Sequence, residues 1–288
     1  MVKRGELPAV KVGRKVRIER ADIDALIHSS RVNVEQEPEK KNTSQERIVK
    51  ETDDTIFFMG SHDISLDYVV DFINQNFPEK RMIPAYIGSM EGLLNLYREK
   101  ADIAGCHLFD EETGDYNIPF VKRIFSGEKV YVLRFVKRNL GWIVAPGNPK
   151  KIKDWQDLSR IDLTLINRQK GAGTRILLDY QLKRLGISKE QINGYNQIER
   201  THYGTATAVA RGNGDLALGT ESAARAIGMD FIPLTKERYD FVIRPDFFES
   251  DSWTSLEYAL KSPELRRKIK ALGGYDVEKM GEIIEEVF

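Results

Sequence analysis

The sequence predicts an α/β fold of two lobes joined by crossing strands, preceded by a short basic head. Three observations carry this reading. From Thr55 onward, apolar strand candidates alternate with helix candidates. Two β-rich stretches, Tyr131 to Pro146 and Lys236 to Phe247, separate one set of these units from another and pass the chain between lobes. Charge is also uneven: the whole chain has 44 basic and 44 acidic residues, yet Met1 to Arg20 holds seven bases against two acids, a net of +5. A chain of 288 residues exceeds one compact domain of about 100 to 200 residues, so more than one part is expected.

The head comes first. Leu7 to Val12 and Val16 to Ile18 alternate around Gly13-Arg14-Lys15, the pattern of a hairpin with basic outward positions. Ile23, Leu26 and Ile27 then form the apolar stripe of one short helix. A solvated basic hairpin with no partner and a polyanion-binding one are both compatible with this composition. Residues 29–54 are polar without a sustained period, a linker composition.

In the large domain, Ile56 to Met59, Ile83 to Ile87 and Asp102 to Cys106 read as strands of the first lobe. Helical stripes run between them through Leu66, Val69, Val70 and Ile73, and through Leu93, Leu94, Leu96 and Tyr97. In the second lobe the strands are Leu163 to Ile166 and Asp215 to Leu218, with helices from about Ile176 to Leu185 and Tyr203 to Arg211. Ser262-Pro263-Glu264 reads as the start of a late helix and Gly273-Gly274 as its end. The cleft between two such lobes is where α/β proteins place ligands.

Three turns share one design, a small or hydroxyl residue between a strand and a helix: Gly60-Ser61-His62-Asp63, Gly88-Ser89-Met90 and Gly173-Thr174-Arg175. Backbone N–H groups and a hydroxyl converging at a helix start bind anions. The same residues also serve as ordinary N-caps. Arg168 and Arg175 flank the third turn and could add charge-assisted bonds. Gly171-Ala172-Gly173 lacks the third glycine of a dinucleotide fingerprint, and no nucleotide P-loop occurs, which disfavours NAD and ATP. His62, His107 and His202 match no zinc spacing, a single cysteine excludes a Cys-cluster site, and there is no nucleophile elbow, so catalysis is not expected. The first thirty residues lack an apolar signal core and no run of eighteen apolar residues exists, so a cytoplasmic protein without a membrane span is expected.

Lys3-Arg4-Gly5-Glu6-Leu7-Pro8-Ala9-Val10-Lys11-Val12-Gly13-Arg14 resembles the C-terminal part of excisionase or MerR-like winged helix-turn-helix domains. That resemblance implies a DNA-gripping wing with Lys3, Arg4, Lys11, Arg14, Lys15 and Arg17 as contacts. The upstream helices are missing, so residues 1–28 are read as a truncated winged-helix fragment.

Gly60-Ser61-His62-Asp63, Gly88-Ser89-Met90-Glu91-Gly92-Leu93, Ala101 to Leu108, Asn167 to Arg175 and Gly219-Thr220-Glu221-Ser222-Ala223-Ala224 together resemble the periplasmic-binding-protein-like domain fused to helix-turn-helix modules in regulators. This implies a two-lobed type II fold over 55–288, related to molybdate- and tungstate-binding proteins. Lobe 1 would take about 55–138 and 240–288, and lobe 2 about 139–239. The resemblance carries Ser61, Ser89 and Thr174 over as anion donors, joined by His62, Arg168, Arg175, Tyr203 and Thr205.

The expected function is a one-component transcription regulator, possessing no enzymatic activity or cofactor, that senses an oxyanion, foremost molybdate or tungstate, and binds DNA as a homodimer. An oxyanion carrier without DNA binding, and an enzyme acting on an anionic metabolite or in molybdenum cofactor assembly, are the alternatives. A proton-bearing anion such as phosphate would want an acceptor, and Asp63 is the candidate in these turns unless it caps its helix.

Overall fold

The computed structural model describes residues 10–12, 15–17 and 54–288, and the chain divides into two compact units, Met1–Arg47 and Ile48–Phe288. In the first unit, strands β1 (Val10–Val12) and β2 (Lys15–Arg17) pair antiparallel, with Val12 opposite Lys15. Lys15, read as part of the turn, therefore belongs to the second strand. The expected contacts Lys3, Arg4 and Arg14, the short helix at 23–27 and the linker up to 53 lie outside the described residues.

The second unit is built on one ten-stranded sheet ordered β4-β3-β5-β10-β6-β9-β7-β8, with β11 and β12 also paired to β6. Lobe 1 begins with β3 (Thr55–Gly60), α1 (Ile64–Asn76), β4 (Arg81–Tyr86), α2 (Ser89–Tyr97), β5 (Ile103–Cys106) and α3 (Ile118–Ile124). β3 is parallel to both β4 and β5, the pairing that strand-helix-strand units produce. The chain leaves through β6 (Val130–Val144). Lobe 2 contains β7 (Leu165–Arg168), α4 (Gly173–Leu185), β8 (Ile198–Glu199), α5 (His202–Ala210), β9 (Leu216–Thr220) and α6 (Glu221–Ile227). It returns through β10 (Asp230–Ile243) to α7 (Pro245–Phe248), α8 (Asp251–Lys261), α9 (Pro263–Ala271), β11 (Tyr275–Asp276) and β12 (Ile283–Val287).

Each lobe is covered on both faces. In lobe 1, Ile56 and Phe58 of β3 pack with Leu66, Val69 and Ile73 of α1 and with Leu256, Leu260 and Leu265 of α8 and α9. The opposite face carries Leu93 and Leu96 of α2 with Val121 and Phe125 at α3. In lobe 2 the two-residue period of β9 divides the cores: Leu216 and Leu218 face α4, whereas Ala217 faces α5 and α6. Both apolar phases of a strand are needed only where helices lie on both sides, which is why these strands read as unbroken apolar runs.

β6 and β10 are the crossing strands. Leu140 to Val144 of β6 pair with β9, while Val130 to Leu133 pair with β12; Asp240 to Ile243 of β10 pair with β5. The ladder between them is interrupted by register shifts at Pro233/Thr235 and Tyr239/Asp240, and such irregularities let strands bend. Ser262 caps α9 by accepting from the Leu265 N–H, with Pro263 at the first helical position, and Gly273 and Gly274 follow the helix with φ of 83° and 76°. Among the described residues no helix is long and apolar enough to cross a membrane.

Candidate functional site

The three turns resolve differently. Asp63 is the N-cap of α1: its carboxylate accepts from the Ser65 N–H at 2.8 Å, so capping explains this residue. Neither α2 nor α4 has a side-chain cap, their N-cap residues being Gly88 and Ala172. Ser89 and Thr174 instead occupy the first and second helical positions, and both are buried. Helix α4 begins three residues before the expected Ile176, because Gly173 continues into the helix instead of ending a turn. The glycine is needed for close approach, since a Cβ there would lie 2.3 Å from the His107 carbonyl oxygen and 2.5 Å from its Nδ1. This approach brings the start of α4 in lobe 2 against the segment after β5 in lobe 1.

Lobe 1 contributes a hydroxyl pair. Ser61 Oγ and Ser89 Oγ are 2.8 Å apart, and the His107 N–H donates to Ser89 Oγ at 3.2 Å. The Tyr239 hydroxyl fixes the turn by donating to the Ser61 carbonyl at 2.5 Å.

The crossing strands contribute a charge pair that runs through this region. Arg138 of β6 stands opposite Glu237 of β10 in the ladder and donates through Nε to Glu237 Oε1 at 2.6 Å. Its Nη1 holds Asp63, which also accepts from the Tyr275 hydroxyl at 2.9 Å. The other Glu237 oxygen is 3.2 Å from His107 Nδ1. Burial pushes Glu237 up, but the Arg138 guanidinium and His107 outweigh it and hold the carboxyl down at about 2. Burial pushes His107 below the ordinary histidine value despite the Glu237 charge.

Lobe 2 contributes Arg168 at the end of β7, Thr174, and His202 as the first residue of α5. Arg168 donates one bond, Nη2 to the Arg200 carbonyl at 2.9 Å. Burial, and then the like charge of Arg138, push it down to about 10. His202 is also pushed well down, first by burial and then by Arg168, Arg138, His107 and His62. Arg138, Arg168, His107 and His202 thus act on one another's charge. Arg138 Nη2, Arg168 Nε and Nη1, Thr174 Oγ1 and both His202 ring nitrogens are buried without a hydrogen-bond partner among the described residues. Unpaired buried polar atoms are rare and costly, and four of these six, on Arg138, Arg168 and Thr174, are donors that call for an acceptor. A small anion with several oxygens is the complement.

Of the residues expected from the sequence, Ser61, Ser89, Arg168 and Thr174 fall in this constellation. Arg175 is buried but occupied: Nε donates to Asp179 at 3.1 Å, Nη1 to the Arg168 carbonyl at 3.0 Å, and its guanidinium lies 4.0 Å over the Tyr195 ring. Through Nη1 it holds the Arg168 main chain. His62 is tied to Asp67 at 3.2 Å and packs edge-on to Tyr86. The Thr205 hydroxyl is used within α5, donating to the His202 carbonyl at 2.8 Å. Tyr203 is half-buried, its phenol pushed up by burial and then by the charges of Tyr68, Asp67 and Asp63 in lobe 1. Sequence reasoning missed Arg138 and Glu237 and gave His107 and His202 no binding role.

Comparisons with known proteins agree with this architecture. The PBP superfamily domain matches residues 70–261 and a helix-turn-helix domain matches residues 1–31. The uncharacterized protein YvgK of Bacillus subtilis (strain 168) is 35% identical over 287 residues, covering 99% of this chain and 92% of that protein. The chain belongs to the PBP superfamily, with a helix-turn-helix domain at its N-terminal end. Among solved structures, a phosphate ABC transporter substrate-binding protein of Clostridium perfringens with bound phosphate aligns over 76% of this chain and 97% of its own, with TM-score 0.56 and 14% identity. An OxyR variant of Corynebacterium glutamicum with hydrogen peroxide bound aligns over 92% and 80%, with TM-score 0.53 and 14% identity. At those identities the two structures speak for the fold alone.

Proposed function

We propose that the protein is a DNA-binding regulator whose cleft senses a small tetrahedral oxyanion, molybdate or tungstate foremost. One observation carries the reading: Arg138 Nη2, Arg168 Nε and Nη1 and Thr174 Oγ1, drawn from both lobes and from a crossing strand, are buried donors left unpaired among the described residues. The carboxylates beside them are already engaged. Asp63 accepts from Ser65, Arg138 and Tyr275, and Glu237 from Arg138 and His107. With these carboxylates engaged, a ligand carrying a proton could give it only to a neutral histidine nitrogen, which is the ground for ranking a fully deprotonated dianion ahead of hydrogen phosphate.

Phosphate is the second reading, because the Clostridium perfringens protein of similar fold is described with phosphate bound. Binding would hold the lobes together, and the signal reaches DNA only if the DNA-binding form differs in ligand affinity. As a regulator the protein would act on its operator as a dimer.

Thermal unfolding of the full chain with molybdate, tungstate, sulfate and phosphate tests this. A ligand at a hundred times its dissociation constant stabilises by about 2.7 kcal/mol. A shift with molybdate or tungstate well above that with phosphate supports the first reading, and the reverse order supports phosphate. No shift with any of the four removes the oxyanion site.

A further inference from the structure

We infer that the cleft binds its anion together with a proton, taken up by His202, so that occupancy reports pH as well as anion concentration. This rests on the oxyanion reading of the cleft and adds the regulation of that site.

The argument begins with charge. Asp63 and Glu237 cancel Arg138 and Arg168, so the buried cluster carries no net charge while its histidines are neutral. A dianion entering that cluster would bring two uncompensated negative charges into a site sealed from water, which is costly. Helix-start N–H groups and hydroxyls offset part of that charge, and a titratable group close at hand can supply a full positive one.

His202 is placed to do so. It is 5% exposed and opens α5, with Thr201 capping the helix beside it by accepting from the Gly204 N–H at 2.9 Å. Its ring lies close over β9, where a Cβ at Gly219 would come 3.5 Å from Nδ1. Neither ring nitrogen has a partner among the described residues. Arg168 of β7, Arg138 of β6, His107 after β5 and His62 ahead of α1 all act to keep the ring neutral. His107 is a poorer candidate, because its Nδ1 already meets Glu237.

The proton balance is simple. The dianion arrives without a proton, one proton comes from solvent or buffer to the imidazole, and no covalent bond to the anion forms or breaks. With the anion bound, the nearest strong charge is negative and the sign of the influence on His202 reverses. The ring then stays protonated to higher pH than before. Affinity is accordingly greatest at low pH and falls as pH rises through the value His202 has in the complex.

Calorimetric titration of the full chain with molybdate, and separately with sulfate, tests this in pairs of buffers of unlike ionisation enthalpy. The expected result is uptake of about one proton per anion near pH 7, and an affinity that falls by up to about tenfold per pH unit toward pH 8.5. His202→Gln should bind more weakly near pH 7 and lose both the buffer dependence and the pH slope. Binding of either anion by the unaltered chain without proton uptake and with a flat pH profile overturns the inference while leaving the oxyanion site standing. Proton uptake that persists in a folded His202→Gln protein also overturns it. Failure of both anions to bind at any pH removes the site itself and the inference with it.

Discussion

Arg138 and Glu237 face each other across the two crossing strands, joined at 2.6 Å between Nε and Oε1, and neither side chain is more than 2% exposed. Tyr275 of β11 pairs with β6 on the other side of Arg138 and reaches Asp63, so the guanidinium is fixed from both flanks. The pair connects a hairpin-like bridge to the turn ahead of α1, leaving Arg138 Nη2 free of protein partners among the described residues.

Arg138→Met should therefore be among the most damaging single changes. It strips two buried carboxylates of their counter-charge, and removing one partner of a buried pair costs about 3 to 5 kcal/mol. Denaturant unfolding at neutral pH measures the loss. Glu237→Gln should cost less, since the amide oxygen can still accept from Arg138.

The titrating groups set a pH profile for the protein without added anion. Burial holds His107 and His202 below the ordinary histidine value, so the unfolded chain binds the extra protons. Their contribution is present above about pH 6.5 and is lost as pH falls through their lower folded values. Glu237, held at about 2 by Arg138 and His107 against burial, adds a further loss below about pH 4.3, complete only near its folded value. Melting temperature against pH should thus fall in two stages on acidification, and Glu237→Gln should flatten the second.

Gly173→Ala tests the approach of the lobes. The added Cβ meets the backbone oxygen of His107 at 2.3 Å, a partner that cannot swing aside, so the lobes must part. Each lobe has its own core, and folding should survive. Anion affinity should fall by at least about tenfold, equal to about 1.4 kcal/mol, and small-angle scattering should show a larger radius of gyration with saturating anion than for the unaltered chain.

Thr174→Ala separates binding from folding. Its hydroxyl has no protein partner among the described residues, so the loss of stability should be below about 1 kcal/mol. Combined with Ser89→Ala it should weaken oxyanion binding several-fold, read by the ligand-induced shift in melting temperature. An undiminished shift would take these hydroxyls out of the site.

DNA binding by the N-terminal unit should be steeply salt-dependent. Replacing Lys15 and Arg17 of β2 by Gln should reduce the slope of log affinity against log salt by about 0.9 for each phosphate that is no longer neutralised. A filter or fluorescence assay over a range of salt concentrations measures it.

The fold was legible because its signals are local. The apolar run Ile56 to Met59 and the helical stripe after Ser61 need nothing beyond neighbouring residues, and small or hydroxyl residues between strand and helix marked Ser61, Ser89 and Thr174. Arg138 and Glu237 were hidden by their surroundings. Each sits in a run of polar residues, Lys137-Arg138-Asn139 and Lys236-Glu237-Arg238, which reads as a solvated stretch. Only strand pairing across 99 residues shows which member turns inward. Arg175 misled in the opposite direction: its place beside the turn suggested a ligand contact, but Asp179 one helical turn on and Tyr195 further along claim its guanidinium. His202 received no binding role because nothing in its sequence neighbourhood reveals that both ring nitrogens lack partners among the described residues.

The register shifts in the bridge at Pro233/Thr235 and Tyr239/Asp240 bracket Glu237. The carboxylate that orients Arg138 thus rides on a short, regularly paired run between two breaks in the ladder, like a gauge mounted between two joints. Twisting this segment would re-aim a charged anchor of the pocket even if neither lobe changed internally.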